Sequence, residues 1–197
     1  MTSQMGAMNR RRAVSELLKN RGDILAVSGL GSPTYDLFAA GDHDGNFYLW
    51  GAMGGCALVA MGLAIAQPER PVVAITGDGE QLMGIGGLLT IAVKKPANLT
   101  VAVLDNGHFG ETGMQRSHSG LGVNLASIGE AAGFARTDDI SDLADIESYR
   151  EILHSTTIGP RFVRLQISSE ELPRTFPPRD GTFMKNRFRE YLGYGVD

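Results

Sequence analysis

The sequence predicts an α/β fold: a doubly wound, mostly parallel sheet flanked by helices. Three observations carry that prediction. Apolar β-branched runs alternate with helical patterns along the chain. The run Val72-Val73-Ala74-Ile75-Thr76 stops abruptly at Gly77-Asp78-Gly79, as a buried parallel strand does where glycine lets the backbone approach a ligand. A second run, Thr100-Val101-Ala102-Val103-Leu104-Asp105, ends in the same manner at Asn106.

Each element has its own signal. Residues 10–19 form an amphipathic helix stopped near Arg21-Gly22. Residues 24–28 are a strand running into Gly29-Leu30-Gly31-Ser32-Pro33, with a helix continuing to Phe38, and 46–49 are a short strand. Residues 53–67 form a helix apolar on every face, which predicts that it is buried. After the Val72 strand come a helix over 81–93 and the Thr100 strand, then a glycine-rich polar stretch, 107–124, without periodicity. A helix over 125–132 opens after Asn124, 134–137 is a short strand, 142–154 a helix, and 161–167 closes the sheet. Pro173, Pro177 and Pro178 mark an extended tail ending in an amphipathic helix over 183–192. Such a tail packs either across a neighbouring subunit or on the back of its own domain. The expected organisation is one domain over 1–197, with a core at 9–170 and an extension at 171–197.

Composition narrows the function. With 197 residues, 43% of them hydrophobic, the chain is large enough for one core and too short for two ordinary domains. A net charge of −4 argues against a general nucleic-acid binder. The longest small-apolar stretch, 53–66, is too short and glycine-rich to span a bilayer. Residues 1–8 lack the apolar core of a secretory signal, and Met5 and Met8 read as loose start residues. A single cysteine, Cys56, leaves no intrachain disulfide and no cysteine-ligated cluster, so the simplest location is cytoplasmic.

The candidate chemistry gathers at the strand ends, where open α/β sheets bind ligands. Four glycine-bearing loops converge there, 29–34, 51–55, 77–80 and 106–115. Asp78 and Asn106 offer two hard oxygen ligands side by side, which suits Mg²⁺ holding a diphosphate. Gly29-Leu30-Gly31 alone is a weak dinucleotide match lacking its third glycine. Ser32 and Thr34 have an ordinary alternative as helix N-caps, and Met53 as a core residue opening a buried helix. His108, Glu111, Gln115, Arg116 and His118 lie on the glycine-rich segment that could close over a substrate. His43 and Asp44 sit in an exposed-looking turn and carry no catalytic expectation.

From residue 24 to 167 the chain resembles the pyrophosphate-binding domain of thiamine-diphosphate enzymes. Within them it is most similar to the β subunit of sulfopyruvate decarboxylases and the matching part of phosphonopyruvate decarboxylases. The carrying segments are Gly31-Ser32-Pro33-Thr34-Tyr35-Asp36-Leu37, Gly51-Ala52-Met53-Gly54, Gly77-Asp78-Gly79-Glu80-Gln81-Leu82-Met83, Asp105-Asn106-Gly107 and Phe109-Gly110-Glu111-Thr112-Gly113-Met114-Gln115-Arg116-Ser117-His118. The resemblance implies thiamine diphosphate and Mg²⁺ as cofactors. Asp78 and Asn106 side chains and the His108 carbonyl would ligate the metal. Gly79 and Glu80 would present N–H groups to the diphosphate, Gly31, Ser32 and Thr34 would hold its terminal phosphate, and Gly77 and Phe109 would complete the cofactor contacts. The Gly51 carbonyl would accept from the 4′-amino group, and Met53 would wedge the cofactor into its bent, self-activating shape. His118 is the candidate for touching substrate, with a solvent-exposed loop histidine as its alternative; Arg116 reads as a solvated loop arginine.

Two positions depart from the family pattern. Glu80 stands where a small residue is usual, and is expected to point away or pair with a partner's cation. Tyr35 replaces a basic residue. The activating glutamate of such enzymes belongs to a pyrimidine-binding domain for which this length has no room, and Glu16, Glu69 and Glu111 are poor substitutes. The resemblance therefore implies a separate α subunit supplying that domain and glutamate, an αβ hetero-oligomer, and decarboxylation of a 2-oxo acid. Sulfopyruvate is the leading substrate and phosphonopyruvate the second. The rivals are a 2-oxoacid:ferredoxin oxidoreductase β subunit, a non-catalytic diphosphate-binding module, and a plain nucleotide-binding domain, which the Asp78–Asn106 pair disfavours.

Overall fold

The computed structural model describes residues 8–195, so the reading of the first seven residues lies outside the described part, while Met8, expected to be a loose start residue, is buried in the core and bridges Ile167. The expected alternation builds β1 (Leu25–Ser28), β2 (Asn46–Tyr48), β3 (Val72–Gly77) and β4 (Leu99–Asp105). A small hairpin follows, β5 (His108–Phe109) and β6 (Gln115–Arg116), then β7 (Arg136–Ile140) and β8 (Arg161–Gln166). Six strands pair in the order β2-β1-β3-β4-β8-β7, every pairing parallel. The fold is thus the doubly wound α/β class.

Burial on both faces explains the near-continuous apolar runs of β3 and β4. Ala26, Val73, Ile75, Ala102 and Leu104 face one core with α1 (Arg10–Leu17), α2 (Ser32–Ala39) and α7 (Leu143–Leu153). Their alternates Leu25, Val27, Val72, Ala74, Val101 and Val103 face the other, with α3 (Cys56–Ala66), α5 (Ile85–Lys94), α6 (Leu125–Ala132) and α8 (Gly181–Tyr191). Asn9, Asn124 and Asp142 cap α1, α6 and α7 through their side chains, each satisfying an orphan N–H of the first turn.

Several expectations need correction. The all-apolar α3 is buried only along Cys56, Ala57, Ala60 and Ala64, while Leu58, Val59 and Ile65 face outward. Small residues let the helix lie close to the sheet, so its larger side chains are left on the opposite face. The helix expected over 81–93 is two helices, α4 (Asp78–Met83) and α5, broken at Gly84. A Cβ on Gly84 would stand 2.1 Å from the Gly54 carbonyl oxygen, so this is a site of close backbone approach. The strand expected at 134–137 begins at Arg136 because Phe134 is drawn into the core against Phe162, ring centroids 5.7 Å apart. The stretch 107–124 holds the β5–β6 hairpin and two short 3₁₀ turns, Gly110–Thr112 and Ser119–Leu121. The terminal helix α8 lies on the chain's own sheet edge: Phe188 meets Phe47 at 5.5 Å, and Trp50 Nε1 donates to the Pro178 carbonyl at 3.0 Å.

Candidate active site

At the carboxyl ends of β1, β3 and β4 lies a cavity of about 280 Å³, with Ser32, Asp78, Gly79, Asn106, His108 and Phe109 in its wall. Asp78 opens α4 directly after β3 and is 2% exposed. Its Oδ2 accepts from the hydroxyls of Ser117 and Ser119, the latter at 3.1 Å. Burial, and then the neighbouring Asp105 carboxylate, push the Asp78 carboxyl up to about 6, and the two hydroxyls pull against that rise. Asp105 is fully buried and fully satisfied. Its Oδ1 accepts from Gly107 N at 2.9 Å and Ser119 Oγ at 2.7 Å, and its Oδ2 accepts from Arg164 Nε at 2.6 Å. A polar ladder thus runs from Arg164 through Asp105 and Ser119 to Asp78. Of these residues the sequence analysis assigned a role to Asp78 alone; the hydroxyls beside His118 were the overlooked signal.

Asn106 follows β4 and faces the cavity with its Oδ1 accepting from His108 N at 3.0 Å. That bond shapes the tight turn that brings the His108 backbone beside Asp78's helix. One carboxylate, one amide oxygen and one carbonyl make a hard, oxygen-only donor set, in keeping with Mg²⁺ rather than a softer metal. No group of three or more His, Cys, Asp or Glu fit to hold a metal occurs among the described residues.

Two glycines form cradles that a side chain would fill. A Cβ on Gly79 would lie 2.6 Å from the Phe109 ring, and a Cβ on Gly31 (φ +78°) 2.6 Å from Glu111 Oε1. Gly31 itself is the N-cap of α2 with no side-chain cap, so the N-terminal end of that helix is open toward an anion. These cradles and the oxygen donors fit a metal-bound organic diphosphate. Met53 stands 39% exposed at the mouth of the cavity, which removes its alternative as a core residue. The residue before it, Ala52, takes the left-handed conformation (φ +55°), so this loop holds a strained backbone.

Other expected residues are placed differently. Thr34 is fully buried and its hydroxyl is spent inward, on Ser28 Oγ at 2.7 Å and on the Gly29 carbonyl, so it braces the loop instead of facing the cavity. Ser32 does face it, as the first residue of α2 and not as its cap. Gly51 borders open space, with nothing within 4 Å of a Cβ built on it, and lies off the cavity wall. Gly77 lies in the wall beside Asp78. His118 is exposed and outside the cavity, because the turn that brings Ser117 and Ser119 onto Asp78 directs the intervening side chain outward. Arg116 is exposed and bonds the Gly120 carbonyl within its own loop.

Glu80 is turned inward, and its partner is not a foreign cation. It is buried within its own chain, Oε2 accepting from Thr76 Oγ1 at 3.0 Å. Burial raises its carboxyl, opposed by the Thr76 hydroxyl and by the amides of Cys56, Gly54 and Leu30. Its carboxylate lies so close over Gly29 that a Cβ there would come within 1.6 Å of Oε2. Glu80 therefore ties together the ends of β1 and β3 and the start of α3, the segments that frame the cavity.

Comparison with known proteins agrees with this fold. Residues 37–153 match the family model described as thiamine pyrophosphate enzyme, C-terminal TPP binding domain. The chain is 35% identical over 175 residues to phosphonopyruvate decarboxylase of Streptomyces viridochromogenes, covering 86% of this chain and 42% of that protein. It is also 35% identical over 160 residues to sulfopyruvate decarboxylase subunit beta of Methanothermobacter thermautotrophicus, covering 81% and 82%. A putative thiamin diphosphate-dependent enzyme from Mycobacterium smegmatis superposes with a TM-score of 0.67 at 23% identity, over 86% of this chain and 33% of that one, a likeness of fold. The chain thus spans less than half the length of the phosphonopyruvate decarboxylase and most of the length of the β subunit. With that family model matched over more than half of its length, the chain belongs to the thiamine pyrophosphate enzyme family.

Proposed function

We propose that the chain is the diphosphate-binding β subunit of a thiamine-diphosphate- and Mg²⁺-dependent 2-oxo acid decarboxylase acting in the cytoplasm. The observation that carries this reading is Asp78, a buried carboxylate kept at the cavity floor beside Asn106 although burial opposes its ionisation. A divalent cation is the partner that would reverse that penalty. Bound there, thiamine diphosphate would supply the carbon nucleophile and electron sink that decarboxylation of a 2-oxo acid requires. The chain's own part is to hold and orient. Asp78, Asn106 and the His108 carbonyl would bind the metal, and the hydroxyls of Ser117 and Ser119 fix the carboxylate's direction. The open amides about Gly31 and Gly79 would receive the diphosphate oxygens, and Met53 would support the organic end at the cavity mouth.

The chain carries no glutamate placed for an aminopyrimidine at that mouth among the described lining residues, since Glu80 is turned into the core and Glu111 lies on Gly31. A separate α subunit supplying the pyrimidine-binding domain and its glutamate completes the reading. The outward apolar side chains of α3 and α5, with Leu58, Val59, Ile65, Leu89 and Val93 exposed and Met83 beside them, support a partner docked on that face. The names of the relatives, sulfopyruvate decarboxylase subunit beta and phosphonopyruvate decarboxylase, favour sulfopyruvate and then phosphonopyruvate as substrates. The test is co-expression with candidate α subunits and assay of CO₂ and aldehyde release with thiamine diphosphate, Mg²⁺ and each 2-oxo acid. Full turnover by this chain alone would refute the half-site, and reduction of a viologen dye coupled to a 2-oxo acid would install the oxidoreductase reading in its place.

A further inference from the structure

Arg10 is a charged side chain that the proposed cofactor roles leave without a purpose. It opens α1, is 8% exposed, and lies in the wall of the main cavity and of the smaller polar cleft beside it, together with Ser32. Its Nε stands 2.9 Å from Asp36 Oδ2, and Arg11 Nε stands 3.3 Å from the other oxygen of the same carboxylate. Asp36 is fully buried on α2, the helix whose first residues form the Gly31-Ser32 cradle. Asp36 balances one of these two charges, and the remaining charged groups bordering the cleft are Glu111, Glu170, Glu171 and Arg174. A buried guanidinium is best satisfied when an anion meets its open donors. Neither Arg10 Nε nor Asp36 Oδ2 has a hydrogen-bond partner among the described residues, so the pair is held by charge and Arg10 keeps donors available.

The same place already accommodates an anion. The Glu111 carboxylate lies against Gly31, 2.6 Å from where a Cβ would stand, and its only ion-pair partner among the described residues is the exposed Arg174 at 3.9 Å. Glu170 also borders the neighbouring cleft, but Asn9 and Ser168 already donate to it, at 2.6 and 2.9 Å. The open position beside Gly31, Ser32 and Arg10 is thus suited to a small multivalent anion that displaces Glu111.

We propose that Arg10 is a ligand of the terminal phosphate of the diphosphate, held in place by Asp36 and supplying the charge that the metal site leaves uncompensated. This assignment rests on the reading of the cavity as a diphosphate site. A guanidinium is suited to the role because it donates two parallel bonds to phosphate oxygens and keeps its charge when buried.

The experiment is calorimetric titration of the full chain with Mg²⁺ plus inorganic pyrophosphate, thiamine diphosphate or thiamine monophosphate, on wild type and Arg10→Gln. Loss of one charge-assisted phosphate contact is expected to weaken pyrophosphate and thiamine diphosphate by about ten- to a hundredfold. Thiamine monophosphate, lacking the terminal group, should shift less than about twofold on the same principle. Equal weakening of all three ligands, or none, overturns the assignment of Arg10 alone. Wild type that binds neither diphosphate overturns the diphosphate reading with it. If Arg10→Gln fails to fold by thermal melting, Arg10→Lys supplies the second test, because it keeps the charge and loses the planar fork that donates two parallel bonds. That variant should bind pyrophosphate more weakly than wild type while thiamine monophosphate shifts less than about twofold, and unchanged pyrophosphate binding refutes the proposal. An effect of Arg10→Gln confined to the KM for the 2-oxo acid, with pyrophosphate affinity intact, would assign Arg10 to the substrate and also overturn it.

Discussion

Replacing Asp78 by Asn should make the metal-free chain more stable while abolishing its Mg²⁺-dependent diphosphate binding. The carboxyl is raised from an ordinary 3.8 to about 6 by burial and by Asp105. At about 1.4 kcal/mol per pKa unit, that rise corresponds to about 3 kcal/mol. The sign follows from linkage. A folded pKa above the unfolded value means the native state binds the extra proton, so the contribution is fully present below about pH 4 and is lost as pH climbs through about 6. Asn is isosteric, carries no charge, and its amide oxygen can still accept from Ser117 and Ser119. At pH 4 the variant and wild type should therefore differ little. At pH 8 the variant should be more stable by up to about 3 kcal/mol, a rise in Tm on the order of 5–10 °C for a chain of this size. Chemical and thermal unfolding at both pH values, with and without Mg²⁺ and pyrophosphate, checks both halves. Ligand should stabilise the wild type and leave the variant unmoved. A variant less stable than wild type at pH 8, or one that still gains from Mg²⁺ and pyrophosphate, refutes the reasoning.

Three further outcomes follow from single contacts. Glu111→Ala should tighten binding of Mg²⁺ and pyrophosphate several-fold, because the carboxylate that lies on Gly31 leaves, and weaker binding in calorimetry would count against Gly31 as an anion cradle. Gly84→Ala should destabilise the chain by about 2–4 kcal/mol, since the new Cβ would stand 2.1 Å from the Gly54 carbonyl oxygen and neither backbone can yield without moving the loop that carries Met53; denaturant melts read it directly. Leu89→Glu, at a side chain exposed on α5, should leave melting within about 0.5 kcal/mol yet block co-purification with the α subunit; retained association would move the docking face elsewhere.

The parts of the molecule legible in the sequence are those encoded by local pattern. β3 and β4 announce themselves as β-branched runs because both faces are buried, and the residues just beyond them, Asp78 and Asn106, fall at the sheet edge by the same logic. What stayed hidden depends on contacts between distant segments. Ser117 and Ser119 reach Asp78 across the turn that follows β6, and Arg164 reaches Asp105 from a neighbouring strand. Polar residues in a loop of 107–124 carry no periodicity from which such partners can be inferred. The charge of Glu80 predicts only that it points away from the diphosphate or pairs with a partner's cation, whereas the amides around it and the absence of a side chain on Gly29 make room for a buried carboxylate. The apolar α3 was misread for the opposite reason: hydropathy reports a wish for burial but not whether the covering surface belongs to the same chain.

Asp78 and the outward face of α3 and α5 bear on a single conclusion under the proposed function. A freestanding domain would be expected to neutralise Asp78 and to cover Leu58, Val59, Ile65, Leu89 and Val93, the last of them 79% exposed. This chain does neither, and each omission disfavours the isolated folded state. A cation at the cavity floor would relieve the carboxylate penalty, and a protein surface laid over α3 and α5 would relieve the apolar exposure. Met53 stands between these places, in the cavity wall and three residues ahead of α3. A ligand that seats against Met53 and a partner that covers α3 therefore act on the same strained loop, with Ala52 at φ +55° as its stiff point. Binding of either should favour the other, because both select the same loop conformation, and by reciprocity the two enhancements must be equal. Cofactor affinity measured with and without the α subunit, and subunit affinity measured with and without cofactor, should change by one common factor. A common factor of one would mean that cavity and apolar face are independent.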